Sequence, residues 1–172
     1  MVDEAAKAAG YSTEAYHGTI AEDFTQFSKG RKRLGRIWGD GFYLTESKRD
    51  AEQWAEKAER KSGWGNKRVL AVKLKLSKPL VLEGEGSVAS MGEMLPPEFI
   101  RDVQPLLERD GEDGLAGIIS GDTFIESFEW EKPASAIAEY AQELGYDGIA
   151  GTYEGVQHYV VFNPNQIKSL IS

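Results

Sequence analysis

The chain of 172 residues has no cysteine, only two histidines and no long apolar run. Without cysteine there is no disulfide and no thiolate zinc site, and two imidazoles are too few for a histidine-based one. No metal is expected. The longest apolar stretches, such as "YVVF" and "VLAV", fall far short of the ~20 residues that cross a bilayer, so no membrane association is expected. The start, "MVDEAAKAAGY", lacks the basic opening and apolar core of an export signal, which points to a cytoplasmic protein. Positive charge is also scarce: 20 Lys and Arg face 28 Asp and Glu, a net charge of −8. That balance argues against a protein that coats nucleic acid, whose affinity is carried by bases on phosphates.

What is present suffices for a core: 41% of residues are hydrophobic and 10% aromatic, which suggests one globular domain over residues 1–172. The charge is unevenly spread. Residues 29–36, "KGRKRLGR", hold five bases in eight positions, whereas residues 83–131 hold thirteen acids against two bases. The second segment reads as an acidic insertion, serving either acceptor recognition or solubility.

Periodicity and punctuation place the elements. "EAYHGTI" reads as a short strand ended by Gly18, and residues 21–40, spotted with glycine and bases, as a long surface loop. "GFYLT" reads as a second strand. In "SKRDAEQWAEKAERK", Ser47 caps a helix with Asp50 at the third helical position, and Ala51, Trp54, Ala55 and Ala58 form its apolar face. "KRVLAVKLKLSKPLVLE" alternates with a period of two, which predicts one long half-buried strand with Lys73 and Lys75 on the wet side, ended or edged by Pro79. A helix is expected from Pro97 to about Arg109. Another starts near Pro133 and closes at Gly145, and "VQHYVVFNPNQIKSLI" reads as a strand, an Asn-Pro turn and a further strand or short helix. Strands scattered among single helices suggest an α+β fold.

Taken singly, the chemical groups are ambiguous. A lone His17 beside an aromatic is more often a hydrogen-bonded packing residue than a catalytic one, and a basic stretch is more often a solvated loop than a site. The ordered set is more specific. "YHGT", an irregular glycine-rich segment, "GDGFYLT" with a helix carrying "AEQWAE", and "GYDGI…HYVVFNPNQIKS" together resemble the ADP-ribosyltransferases of the His-Tyr-Glu type. The resemblance is closest to the domains embedded in phage and toxin polyvalent proteins. It covers roughly residues 14–76 and 133–171.

The resemblance implies a split β-sandwich of two small, mainly antiparallel sheets flanked by helices, with NAD as co-substrate in the cleft between them. It places His17, Gly18 and Thr19 on NAD, His17 at ribose hydroxyls and the Gly18 backbone at the nicotinamide amide. It also implies a nicotinamide ring held between Tyr43 and, eleven residues later, Trp54. The basic loop would lie over the donor, with Arg31, Arg33 or Arg36 meeting the pyrophosphate. Two positions depart from the family pattern. A serine expected three residues before the second aromatic is Ala51. The glutamate expected before the "YVVF" strand is His158, preceded by Gln157.

A neutral imidazole accepts a hydrogen bond but brings no negative charge to a developing oxocarbenium ion. His158, Gln157 or Glu154 from the turn "TYEGVQ" remain candidates for that third position. Adjacent strand residues face opposite sides, so only one of Gln157 and His158 points into the cleft. The resulting expectation is an NAD-dependent mono-ADP-ribosyltransferase, a phage- or toxin-type effector modifying a host component. A host protein is preferred as acceptor over nucleic acid. The alternative is a catalytically weak or inactive module on the same fold that binds NAD or a protein partner.

Overall fold

A computed structural model describes residues 2–21, 41–85, 94–110 and 133–170. Helix α1 (Val2–Ala8) leads into strand β1 (Thr13–Thr19), which runs one residue past Gly18. Then follow β2 (Phe42–Thr45), α2 (Lys48–Ser62), β3 (Arg68–Leu74), β4 (Pro79–Glu85), α3 (Pro97–Asp110) and α4 (Pro133–Glu143). Strands β5 (Gly148–Tyr153) and β6 (Val156–Val161), a 3₁₀ turn at Pro164–Gln166 and β7 (Ile167–Ser169) complete it. No helix among the described residues is long and apolar enough to cross a membrane.

The strands form one sheet in the order β4-β5-β6-β2-β1-β3-β7, antiparallel except for the parallel β4–β5 pair. The α+β class is as expected. The two mainly antiparallel groups of strands, β4-β5-β6-β2 and β1-β3-β7, are two halves of one sheet, joined among the described residues at a single registered pair, Tyr16↔Thr45. By contrast β1 and β3 stay in register over their whole length, from Thr13↔Leu74 to Thr19↔Arg68. The junction is narrow because the chain leaves the sheet directly after Thr45, whose Oγ1 accepts the Ser47 N–H at 3.1 Å. Ser47 Oγ then accepts the Asp50 N–H at 3.1 Å, capping α2 as its sequence predicts. At the other end Gly63, at φ 69°, closes α2 with its N–H on the Glu59 carbonyl.

Two apolar clusters occupy the two faces. Helices α3 and α4 lay Phe99, Val103, Leu107 and Ile137 on Leu80, Ile149 and Val160. The other cluster gathers Ala15, Phe42, Leu44, Leu70, Val72 and Val161. The neighbours Val160 and Val161 go to different clusters, the strand alternation made visible. The described part of the acidic segment is therefore core as well as surface. Its helix α3 buries one stripe, while Arg109 at its end pairs with Asp110 and with Glu143 of α4.

The long strand predicted over "KRVLAVKLKLSKPLVLE" is two strands. After Leu74 the chain turns, and Asp147 fixes the turn by accepting the Ser77 and Lys78 N–H groups at 2.6 and 3.0 Å. This sends β4 to the far edge beside β5. Lys73 is also corrected: it is 1% exposed, with Nζ 3.8 Å from Glu14 on the neighbouring strand β1, so the face that carries it is covered here instead of wet. Lys75, outside the strand, is exposed.

One contact sets the seat of α2. A Cβ built on Gly18 would lie 2.0 Å from the Ala51 carbonyl oxygen and 3.0 Å from the Ala55 nitrogen, both backbone atoms. Only a glycine lets the helix backbone approach β1 this closely. Gly18→Ala should therefore lower stability by about 1–3 kcal/mol or more, as overpacking against rigid backbone does. Urea denaturation of the two proteins measures it, and a loss below about 0.5 kcal/mol would contradict the contact.

Candidate active site

Past Tyr16, β1 and β2 have no further registered pair among the described residues, and the candidate site is built around this opening. Continuing the one registered pair would set Gly18 opposite Tyr43, with His17 and Thr19 on the same lip as Gly18. His17 spans the gap: its Nδ1 lies 3.0 Å from the Tyr43 carbonyl oxygen, a bond in which the ring nitrogen donates. Gly18 faces α2, so alternation turns the His17 ring toward the other side of β1. Thr19 Oγ1 accepts the Ala21 N–H at 3.2 Å, shaping the exit from the strand. Arg31, Arg33 and Arg36 lie outside the described residues.

On the α2 side a second group collects. Tyr16, Thr45 and His158 form a row across β1, β2 and β6, which puts His158 about 10 Å from β1 at the usual strand spacing. Tyr43 pairs with Val160 and so shares the face of His158 two residues away. The His158 ring is 5.4 Å from the Trp54 ring, centroid to centroid, tilted by 37°. The Tyr153 ring stands edge-on at 6.2 Å, and an Asp50 carboxylate oxygen is 3.9 Å from His158 Nε2. Of the two neighbours in β6, then, His158 is the one turned to α2 and the aromatics. Gln157 faces the opposite side with Thr152, whose Oγ1 donates to its side-chain oxygen at 3.4 Å.

Glu154 stands at the exposed tip of the β5–β6 hairpin. Both loop residues are in the left-handed region, Glu154 at φ 51° and Gly155 at φ 75°, as a two-residue type I′ turn demands. Glu46 binds the base of the same hairpin: its carboxylate accepts the Gln157 N–H and its own N–H donates to the Gln157 carbonyl, each at 3.0 Å.

These acids bear on His158. Burial holds its imidazole below the ordinary 6.5, against an opposing pull from Asp50, Glu46, a bond to the Tyr153 backbone and Glu154. The ring is therefore neutral near pH 7, a hydrogen-bonding group set among carboxylates. Asp50 was legible in the sequence only as a helix-cap partner. The signal that would have found it is the four-residue step to Trp54, which places both on one face of α2.

A seven-stranded α+β sheet that opens between a His-Gly strand and a Tyr strand, with a helix across the opening, is the frame of an ADP-ribosyltransferase. The chain belongs to the family described as "ADP-Ribosyltransferase in polyvalent proteins", whose model matches residues 8–172. Among solved structures it is similar to a chain of the M. tuberculosis MbcT–MbcA toxin–antitoxin complex. There the TM-score is 0.52 at 18% identity, covering 93% of this chain and 82% of that one. An anti-CRISPR protein is a more distant likeness, with TM-score 0.45, 13% identity, and 92% and 95% of the two chains covered. Comparison with the curated proteins gives no match.

The histidine makes one measurable demand. Its folded-state pKa lies below the unfolded value, so the unfolded chain binds more protons as the pH falls through about 6.5. Stability should thus be at its full value above that pH and decline below it. In His158→Gln this part of the pH dependence should disappear. Thermal melts from pH 8 to 5 test it, and an unchanged slope in the variant would contradict a neutral, buried His158.

Proposed function

We propose that this protein is an NAD-dependent mono-ADP-ribosyltransferase that modifies a macromolecular acceptor, in the manner of a phage- or toxin-type effector acting on host components. Family membership gives the transferase class. The observation that carries the reading to these residues is the β1–β2 opening, bridged by His17 and Tyr43 and roofed by the helix that bears Trp54.

The groups around the opening fit NAD. Its nicotinamide is a flat cationic ring, for which an indole and a phenol ring give aromatic faces and nearby carboxylates a favourable field. Its ribose hydroxyls need hydrogen-bonding partners, of which the His17 imidazole is one. In this reading His17 positions the ribose, Tyr43 and Trp54 hold the nicotinamide, Gly18 and Thr19 offer backbone and hydroxyl groups to it, and His158 occupies the third position. Gln157, on the face of the sheet to which His17 turns, and Glu154, at the exposed hairpin tip, are the other claimants there. Pyrophosphate contact falls to Arg31, Arg33 or Arg36.

The reaction follows from these roles. The bond from the ribose anomeric carbon to the nicotinamide nitrogen breaks, its electron pair leaving with neutral nicotinamide. The sugar becomes cationic as it does so. A nucleophile of the acceptor then adds to the anomeric carbon and loses its proton to solvent. Fixed dipoles and charges aimed at the developing cation lower the barrier.

His158 in place of a glutamate favours a second reading, a module that binds NAD or a protein partner without turnover. One experiment separates the two. With labelled NAD, with and without bacterial lysate, the wild-type protein should release nicotinamide and transfer label, and His17→Ala and Tyr43→Ala should each cut both at least tenfold. NAD binding with neither product would establish the binding module instead.

A further inference from the structure

We infer that a groove at the end of the sheet opposite the β1–β2 opening docks an acidic, extended peptide segment of a partner protein. The groove encloses about 620 Å³ and is walled by Tyr11 before β1, Lys75 and Ser77 after β3, Tyr146 before β5, and Asn163 and Asn165 around the 3₁₀ turn. These residues stand at the Thr13↔Leu74 end of the β1–β3 ladder. His17 is four residues further along β1, about 13 Å beyond Thr13 at the usual rise. Side chain to backbone bonds fix the walls. Gln166 Nε2 donates to the Lys75 and Asp147 carbonyls at 3.1 and 2.7 Å, and the Tyr11 hydroxyl donates to the Asn165 carbonyl. Walls held in this way lose little freedom on binding.

The groove's charge runs against that of the chain, which carries −8 overall. The Lys75 and Lys168 ammonium groups lie 6.0 and 5.9 Å from the Tyr11 ring centroid, and that of Lys78 lies 4.7 Å from the Tyr146 centroid. Among the described residues, none of these three lysines forms an ion pair. The groove's own acid, Asp147, has its carboxylate oxygens on the Ser77 and Lys78 N–H groups. At the other end burial, then Glu98 and Asp102 of α3, push the Tyr146 hydroxyl above its ordinary pKa, and Arg101 pairs with Asp102. The excess positive charge therefore gathers around Tyr11.

The same arrangement discriminates between anions. Single-stranded nucleic acid binds by stacking its bases on open aromatic faces, whereas here lysine ammonium groups already stand over both tyrosine rings. Such cations present N–H donors to carboxylates. Ser77, Asn163 and Asn165 are exposed beside them and offer donors and acceptors to the peptide backbone between the acids.

The test is fluorescence anisotropy, without NAD, of three labelled probes: a peptide alternating glutamate with serine, its glutamine counterpart, and an oligothymidine of equal length. The glutamate peptide should bind the wild-type protein and bind more weakly as salt rises from about 0.05 to 0.5 M. The glutamine counterpart should bind about tenfold or more weakly, since the recognised groups are charged. K75Q/K168Q should weaken the glutamate peptide about fivefold or more, as loss of two partly exposed charge contacts does. K57Q/K61Q removes the same charge from exposed positions of α2 and should change its affinity less than about twofold. Amide NMR shifts on adding the peptide should gather at Tyr11, Tyr146 and residues 163–166. Equal weakening by the two double variants, tighter binding of oligothymidine than of the peptide, shifts that gather elsewhere, or no binding of the peptide by the wild-type protein overturns the inference.

Discussion

The approach of α2 to β1 at Gly18 is the contact on which the rest of the site depends. With helix backbone seated where a Cβ would be, the N-terminal half of α2 crosses the line where β1 and β2 separate. That placement does three things at once. It takes the chain out of the sheet directly after Thr45, so the ladder between the two halves stops at one pair. It carries Asp50 and Trp54 to the face of β6 that holds His158. And it leaves His17 to link the two lips through the Tyr43 carbonyl. A side chain at position 18 would lift the helix and move each of these together.

The site's electrostatics are set by a competition. Burial favours the neutral form of His158, and the nearby Asp50, Glu46 and Glu154 favour the charged one; burial has the larger effect. The outcome is a neutral imidazole in a field of negative sign. Such a field favours the cationic nicotinamide ring in the ground state and, more importantly, a cationic sugar as the bond breaks. It disfavours a pyrophosphate, which requires bases of its own. In this chain the dense bases are residues 29–36, separated in sequence from the acids around His158.

Local rules made much of this legible, and their failures have particular causes. The α2 cap, the glycine closures and the strands around His17 and Tyr43 depend on near neighbours in sequence, and they were readable from them. Lys73 is buried against expectation because period two tells which residues share a face but not whether that face is covered, which depends on what packs against it. The single strand expected from Arg68 onward failed because the turn that breaks it is held by Asp147, some seventy residues away. Position 158 shows the same limit. Sequence alternation says that Gln157 and His158 oppose one another, yet only the position of α2 shows that His158 is the one beneath the helix.

The acidic segment shows how composition and role can part. Its described helix, α3, is charged because it lies at the outside of the fold, with Phe99, Val103 and Leu107 repeating every four residues toward the sheet and acids and bases on the remaining surface. Removing it would strip the cover from Leu80, Ile149 and Val160 and expose the parallel edge of the sheet. The same helix lies over the β4–β5 half, away from the β1–β2 opening, and its end is tied to α4 through Arg109, Asp110 and the Tyr140 hydroxyl. Its acidity is therefore accounted for by solvation of an outer layer.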